Sequence, residues 1–258
     1  MRTLLVAAAV TFGVAAGCSS SKPAGSTVRV AAASDLSRAF EELDKAFTAK
    51  TGITPVVDFG SSGMLEKQIE QGAPYGLFLA ANRPYVDQVV AAGKCDAATV
   101  QLYAHGHVVA WTRTGPAPAT LADLANPRWK RIAVANPDHA PYGKAAKQAL
   151  VKAGLWDSLE DRMVLADSVQ AAMTYAREGS ADIALVSMSL VAVDTAGAFL
   201  PIDSALHEPL EQTLVVCGTG PEAAAGRQLA AYLMSGEGRE LMARYGFALT
   251  STTAAAKP

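Results

Sequence analysis

Four short stretches of the chain combine small hydroxyl residues or glycine in a way that suits an anion site without basic side chains: Ser34, the Ser61–Ser62 pair, Tyr142–Gly143 and Ser168–Val169. Each follows a β-branched or apolar run and opens an amphipathic one, so each marks a turn from a strand into a helix. A helix N-terminus presents backbone N–H groups that have no intrahelical partner, together with the positive end of the helix dipole. Taken singly, each serine reads as an ordinary N-cap. Taken together in a parallel α/β sheet, the turns share one edge, outside the carboxyl ends of the strands, and make a ring of neutral donors. Asp35 and Asp138 stand in the same turns. Two readings are open for them: first-turn helix acids facing solvent, or acceptors for a protonated oxyanion such as hydrogenphosphate.

Other chemistries are less well supplied. Gly60-Ser61-Ser62-Gly63 is one residue short of the G-x-S-x-G nucleophile elbow, and His105, His107, His139 and His207 offer bases for a serine hydrolase. Asp138 and His139 are neighbours in sequence, but adjacency along the chain does not make a triad. His105 and His107 put two imidazoles on one face of a strand with no further Cys, Asp or Glu at ligand spacing, so surface histidines are expected, with no site for a bare cation and no catalytic residue. The 258 residues carry 22 Lys+Arg against 24 Asp+Glu, a net charge of −2. That balance provides no broad basic field for nucleic acid or an anionic membrane.

The elements that must carry these turns alternate. Thr27–Ala33 reads as a strand, and Leu36, Phe40, Leu43 and Phe47 as the apolar stripe of a helix that Ser34 caps and Gly52 ends. Thr54–Phe59 and Gly76–Ala81 are further strands, with helices over Leu65–Ile69 and Pro84–Ala92. His107–Thr112, Ile132–Ala135, Val164–Ala166 and Ile183–Val186 form a second set, with helices opened by Thr120, near Lys144 and by Ser168. Gln212–Cys217 returns as a strand and an Ala-rich helix runs from Glu222 to Leu233. The order argues for an α/β fold with largely parallel sheets.

The first 17 residues read as an address. Arg2 is followed by a 13-residue apolar run, Leu4–Ala16, too short for the roughly 20 residues a membrane span needs and suited to a secretory signal. Val14–Ala15–Ala16–Gly17–Cys18 resembles a bacterial lipobox, with Ala15 where leucine is usual and Cys18 as the lipidated residue; ordinary signal cleavage with Cys18 incidental is the alternative. Ser19–Ser26 reads as a tether. Export would place Cys95 and Cys217 in an oxidising compartment, where a structural disulfide is the favoured reading over a reactive thiol.

Three strings carry a resemblance: AAASDLSRAF (Ala31–Phe40), DFGSSGMLEKQIEQGAP (Asp58–Pro74) and ANPDHAPYGKAAKQAL (Ala135–Leu150), with the closing RYGF (Arg244–Phe247) in the same order. They resemble the molybdate-binding proteins of bacterial ABC importers over nearly all of the chain after the leader. The resemblance implies a type II two-lobed periplasmic binding protein, each lobe a mostly parallel sheet flanked by helices, that closes over a tetrahedral oxyanion in the cleft. It divides the chain into a lipoprotein-type signal peptide (1–17), a tether (18–26), lobe I (27–106 and 216–249), lobe II (107–215) and a disordered tail (250–258). The crossovers between the lobes fall near His107 and Cys217.

The resemblance also implies the ligand set. Ser34 and Ser62 donate from lobe I, and backbone N–H groups at Tyr142 and Val169 from lobe II. Where well-known members place a tyrosine hydroxyl after a strand of lobe II, this chain has Ser187, and where they have a small residue it has Tyr142, so Tyr142 is a candidate to supply the phenol from the other loop. Gly76 and Asn82 replace acids usual in the family, and Asp35 is inserted in the first turn. The expected ligand is molybdate or tungstate, with sulfate or phosphate as the alternative oxyanions, and no cofactor. The expected partner is an ABC transporter permease, with the protein a monomer held at the membrane by its lipid anchor alone.

Overall fold

The computed structural model describes residues 26–250; the leader, Cys18, the tether up to residue 25 and tail residues 251–258 lie outside the described residues. The strands are β1 (Thr27–Ala33), β2 (Thr54–Gly60), β3 (Leu77–Ala80), β4 (Gln101–Gly106), β5 (Val108–Thr112), β6 (Ile132–Ala135), β7 (Met163–Ala166), β8 (Ile183–Ser187), β9 (Ala198–Pro201), β10 (Leu210–Val216) and β11 (Ala248–Leu249). The α-helices are α1 (Ser37–Thr51), α2 (Ser62–Glu70), α3 (Arg83–Ala91), α4 (Pro141–Lys152), α5 (Trp156–Leu159), α6 (Val169–Glu178), α7 (Gly220–Met234) and α8 (Gly236–Arg244).

Two sheets result, ordered β11-β4-β10-β3-β1-β2 and β7-β6-β8-β5-β9. Each is mixed. β1 runs parallel to β2 and β3, and β6 parallel to β7 and β8, where helices make the crossovers. β10 is antiparallel to β3 and β4, and β5 to β8 and β9. The chain leaves the first sheet at β4 and enters the second at β5 through His107. It returns between β9 and β10, earlier than the sequence division at residue 216. Leu210–Val216 pairs with β3 and β4 through its backbone, so these residues belong to lobe I and the return crossover falls before Leu210.

Both sheets are covered on both faces, which explains their near-continuous apolar strands. Along β1, Val28, Val30 and Ala32 pack toward α1, α7 and α8, whereas Ala31 packs with Leu65 and Ile69 of α2 on the opposite face. In lobe II, β5, β6 and β8 are buried throughout and form one core with α4 and α6. Gly76 owes its place to helix packing: a Cβ there would lie 2.5 Å from the Glu222 carbonyl of α7. Asn82 caps α3 by accepting from the Arg83 N–H at 2.9 Å. Cys95 and Cys217 form a disulfide that closes a loop containing the whole of lobe II.

Candidate functional site

The strand-to-helix turns of the two lobes meet. Ser34, Ser61 and Ser62 from lobe I and Tyr142 and Val169 from lobe II line one small cavity, with about 10 Å³ open to the centre of a water-sized sphere, together with Asp35. Its eleven lining residues include no lysine or arginine, and Asp35 is their one carboxylate.

Ser62 and Ser34 are each oriented by a backbone group. Ser62 Oγ accepts the Ala81 N–H at 3.0 Å, which leaves its own O–H to donate elsewhere. Ser34 does not cap α1. It opens a short 3-10 turn, Ser34–Leu36, and α1 begins at Ser37 without a side-chain cap. Ser34 Oγ instead accepts the Gln170 N–H of α6 at 3.4 Å, a bond that crosses between the lobes. Ser168 does cap α6, accepting from Ala171 N–H at 3.2 Å. α4 starts at Pro141, three residues before the sequence reading, so Tyr142 and Gly143 fall in its first turn. The first turns of α2, α4 and α6 thus bring the N–H groups of Ser62, Tyr142 and Val169, which have no intrahelical partner, to the cavity wall.

Ser187 stands apart from that wall. It ends β8 fully buried, with its hydroxyl 2.7 Å from Ser189 Oγ and beside the Tyr142 hydroxyl. Tyr142 is the large group here. Its hydroxyl accepts from Gln212 Nε2 at 3.2 Å and faces Asp35, and burial holds its pKa well above the ordinary value. Gly106 makes room for it, since a Cβ at that position would lie 2.2 Å from the phenolic oxygen.

Two groups have surroundings that differ from the sequence reading, Gln212 because it reads there only as a strand residue and His139 because it reads as a candidate base. Gln212 is a buried amide in an otherwise apolar strand; Tyr103 O–H donates to its Oε1 at 3.0 Å and its Nε2 donates to Asp35 Oδ2 at 2.8 Å. Its sequence signal is a single amide opening the otherwise apolar or β-branched run QTLVVC. His139 forms the second. Its ring Nδ1 lies 2.8 Å from Ser61 Oγ and its carbonyl accepts the Gly63 N–H at 3.0 Å, both across the cleft. Among the described residues no carboxylate is hydrogen-bonded to that ring, and the serine concerned is Ser61, not Ser62. Asp138 lies in the turn before α4 and not in the first turn of that helix, and it is exposed. Asp35 is not: it is fully buried, and desolvation raises its pKa from 3.8 to about 6 against hydrogen bonds from Tyr142, Gln212 and backbone that lower it. The solvent-facing reading therefore fails for Asp35, because the turn after β1 points into the cleft.

Comparison with known proteins agrees with this geometry. A family model described as bacterial extracellular solute-binding protein matches residues 28–248. The chain is similar to the molybdate-binding protein ModA of Rhodobacter capsulatus, 31% identical over 87% of this chain and 89% of that one. It is similar also to ModA of Escherichia coli (strain K12), 30% identical over 95% and 97%. The solved periplasmic molybdate-binding protein of Azotobacter vinelandii superposes with a TM-score of 0.79 at 29% identity, covering 86% of this chain and 99% of that one. The chain belongs to the bacterial extracellular solute-binding protein family.

Proposed function

We propose that this protein captures molybdate outside the cytoplasm and delivers it to the permease of an ABC importer. The observation that carries the reading is the cavity between the lobes, walled by serine hydroxyls and three helix N-termini and free of basic side chains among its lining residues. Molybdate is a dianion that offers only acceptors, so a wall of neutral donors matches it. Hydrogen bonds from neutral donors to a charged group contribute about 1.5–3 kcal/mol each. Ser34, Ser62, Tyr142 and Val169 are the proposed ligand set, drawn from both lobes. Contacts from both lobes exist together only when the cleft is shut, so the ligand favours closure by its differential affinity for that state.

Relatives named as molybdate-binding proteins support the ligand, and the reading extends to tungstate, which has the same charge and shape. No chemistry on the ligand is proposed. The Ser61–His139 contact joins two lobes and has no carboxylate orienting the ring, so it fits a latch better than a hydrolase dyad. Among the described residues no helix is long and apolar enough to cross a membrane; anchoring through a lipid on Cys18, and a monomeric state, belong to the same proposal. Thermal shift against an oxyanion panel tests it. Molybdate and tungstate should raise the unfolding midpoint by mass action while sulfate and phosphate leave it in place. Stabilisation by phosphate alone would assign Asp35 as acceptor for a protonated oxyanion, and no shift with any of the four would overturn the receptor reading.

A further inference from the structure

A carboxyl group in the wall of an anion cavity needs a physical account. Asp35 is wholly excluded from solvent, and its Oδ1 is buried with no hydrogen-bond partner. Its Oδ2 accepts from the Nε2 of Gln212 at 2.8 Å, and the Tyr142 hydroxyl lies against the same carboxyl. The amide of Gln212 is fixed in turn, because Tyr103 O–H donates to its Oε1. The two carboxyl oxygens are therefore not equivalent: Oδ2 is held as an acceptor, and Oδ1 is the one free to carry a proton.

The surroundings of Asp35 supply no countercharge. Tyr142 faces it from α4 and Tyr103 from β4, both kept neutral by burial. Gln212 faces it from β10, and Ser189, in the turn after β8, donates to its backbone carbonyl at 2.6 Å. The α6 side contributes the Gln170 N–H on neighbouring Ser34. Arg38, the nearest cation along the chain, pairs with Glu41 and is partly exposed. An ionised carboxylate in this position would face a dianion across a cavity with nothing between to offset the repulsion, whereas a neutral acid adds one more donor to the ring.

We propose that Asp35 is a proton-coupled specificity residue: it closes on the oxyanion as the neutral acid, donates Oδ1–H to a ligand oxygen, and so makes each molybdate captured take up one proton from solvent. This rests on the reading of the cavity as the molybdate site. Its contacts run to ligand oxygens, not to the metal. In the open cleft the carboxyl is hydrated and ionised at neutral pH; burial between the lobes raises its pKa to about 6, and a bound dianion raises it further. The sign follows from linkage. Below the free carboxyl's pKa the acid is protonated in both states and affinity is flat. Above it, up to the pKa in the complex, affinity falls by about tenfold for each unit of rising pH.

Calorimetric titration of the purified protein with sodium molybdate, in two buffers of different ionisation enthalpy and at several values between about pH 6 and pH 8, reads proton uptake directly. The wild-type protein should take up about one proton per molybdate near neutrality, with affinity declining about tenfold per pH unit. Asp35→Asn, whose amide donates without titrating, should bind molybdate with no proton uptake and a flat pH profile. Wild-type binding whose heat does not depend on the buffer would overturn the inference without touching the molybdate reading, and so would proton uptake that persists in Asp35→Asn. Absence of molybdate binding by the wild-type protein in every buffer would overturn the molybdate reading itself, and the inference with it.

Discussion

Gly63 tests whether cleft closure is what makes binding tight. It lies one residue into α2, and its N–H donates to the His139 carbonyl of lobe II at 3.0 Å. A Cβ at this position would stand 2.7 Å from that carbonyl oxygen and 3.1 Å from both Cα and Cβ of His139. Ordinary contact begins near 3.4 Å, so Gly63→Ala must push the lobes apart here by about 0.7 Å. The displaced atoms are backbone, which cannot rotate away. Donors of lobe II at Tyr142 and Val169 then withdraw from the cavity by a comparable distance, enough to take a 2.9 Å hydrogen bond past the useful range. Losing half to two-thirds of two charge-assisted bonds removes about 1.5–4 kcal/mol, or roughly 10- to 700-fold in Kd at 1.4 kcal/mol per tenfold. The same substitution removes a glycine from a helix, worth about 1 kcal/mol to the isolated lobe. Affinity should therefore fall while the unfolding midpoint of the ligand-free protein holds or rises by about 2–4 °C. Calorimetry with molybdate, thermal unfolding and small-angle scattering with and without ligand read the three quantities. Gly236→Ala, at a helix start with nothing within 4 Å, is the matched control. Gly63→Ala binding within twofold of wild type, with the same ligand-induced compaction, would refute the closure argument.

Other substitutions separate the remaining roles. Ser62→Ala removes a proposed ligand donor and also strands the buried Ala81 N–H; molybdate Kd should rise about 10- to 100-fold and stability drop by about 1–2 kcal/mol, by calorimetry and urea unfolding. Tyr142→Phe should weaken binding by about tenfold, in keeping with one hydrogen bond of about 1–2 kcal/mol, and Tyr142→Ala by more; loss in the alanine variant alone would refute a hydroxyl role and leave packing. Replacing Cys95 and Cys217 together with serine opens a loop of 122 residues, for which about 2–5 kcal/mol of stability should be lost, measured by denaturant midpoint, with molybdate Kd unchanged because neither cysteine lines the cavity.

Much of lobe architecture was legible because local pattern and tertiary need coincide. The apolar runs at Thr27–Ala33, Ile132–Ala135 and Ile183–Val186 are strands because they are buried on both faces, and Gly52 ends α1 as a left-handed C-cap with φ of 73°. β4 was hidden. Its sequence QLYAHG mixes exposed and buried residues, and its pairing with β10 is fixed by a strand more than a hundred residues away. The same long-range pairing moved the return crossover. That the strand-to-helix turns would meet at one cavity was legible from turn chemistry, while the surroundings of Asp35, Gln212 and His139 were not, since these depend on which groups of the other segments face them.

Tyr142 illustrates how such a site can be re-plumbed without changing the fold. The resemblance drawn from sequence implies a phenol after the lobe II strand and a small residue in the α4 turn; this chain has the small residue, Ser187, after β8 and the phenol at Tyr142. The two positions face each other, with the Tyr142 hydroxyl beside Ser187. Gly106 clears the space the phenol occupies, since a Cβ there would lie 2.2 Å from its oxygen. The exchange therefore works as a set. Serine at 187 and glycine at 106 leave room for the phenol, and Gln212 from lobe I donates to its hydroxyl at 3.2 Å, so the ring is held from both lobes.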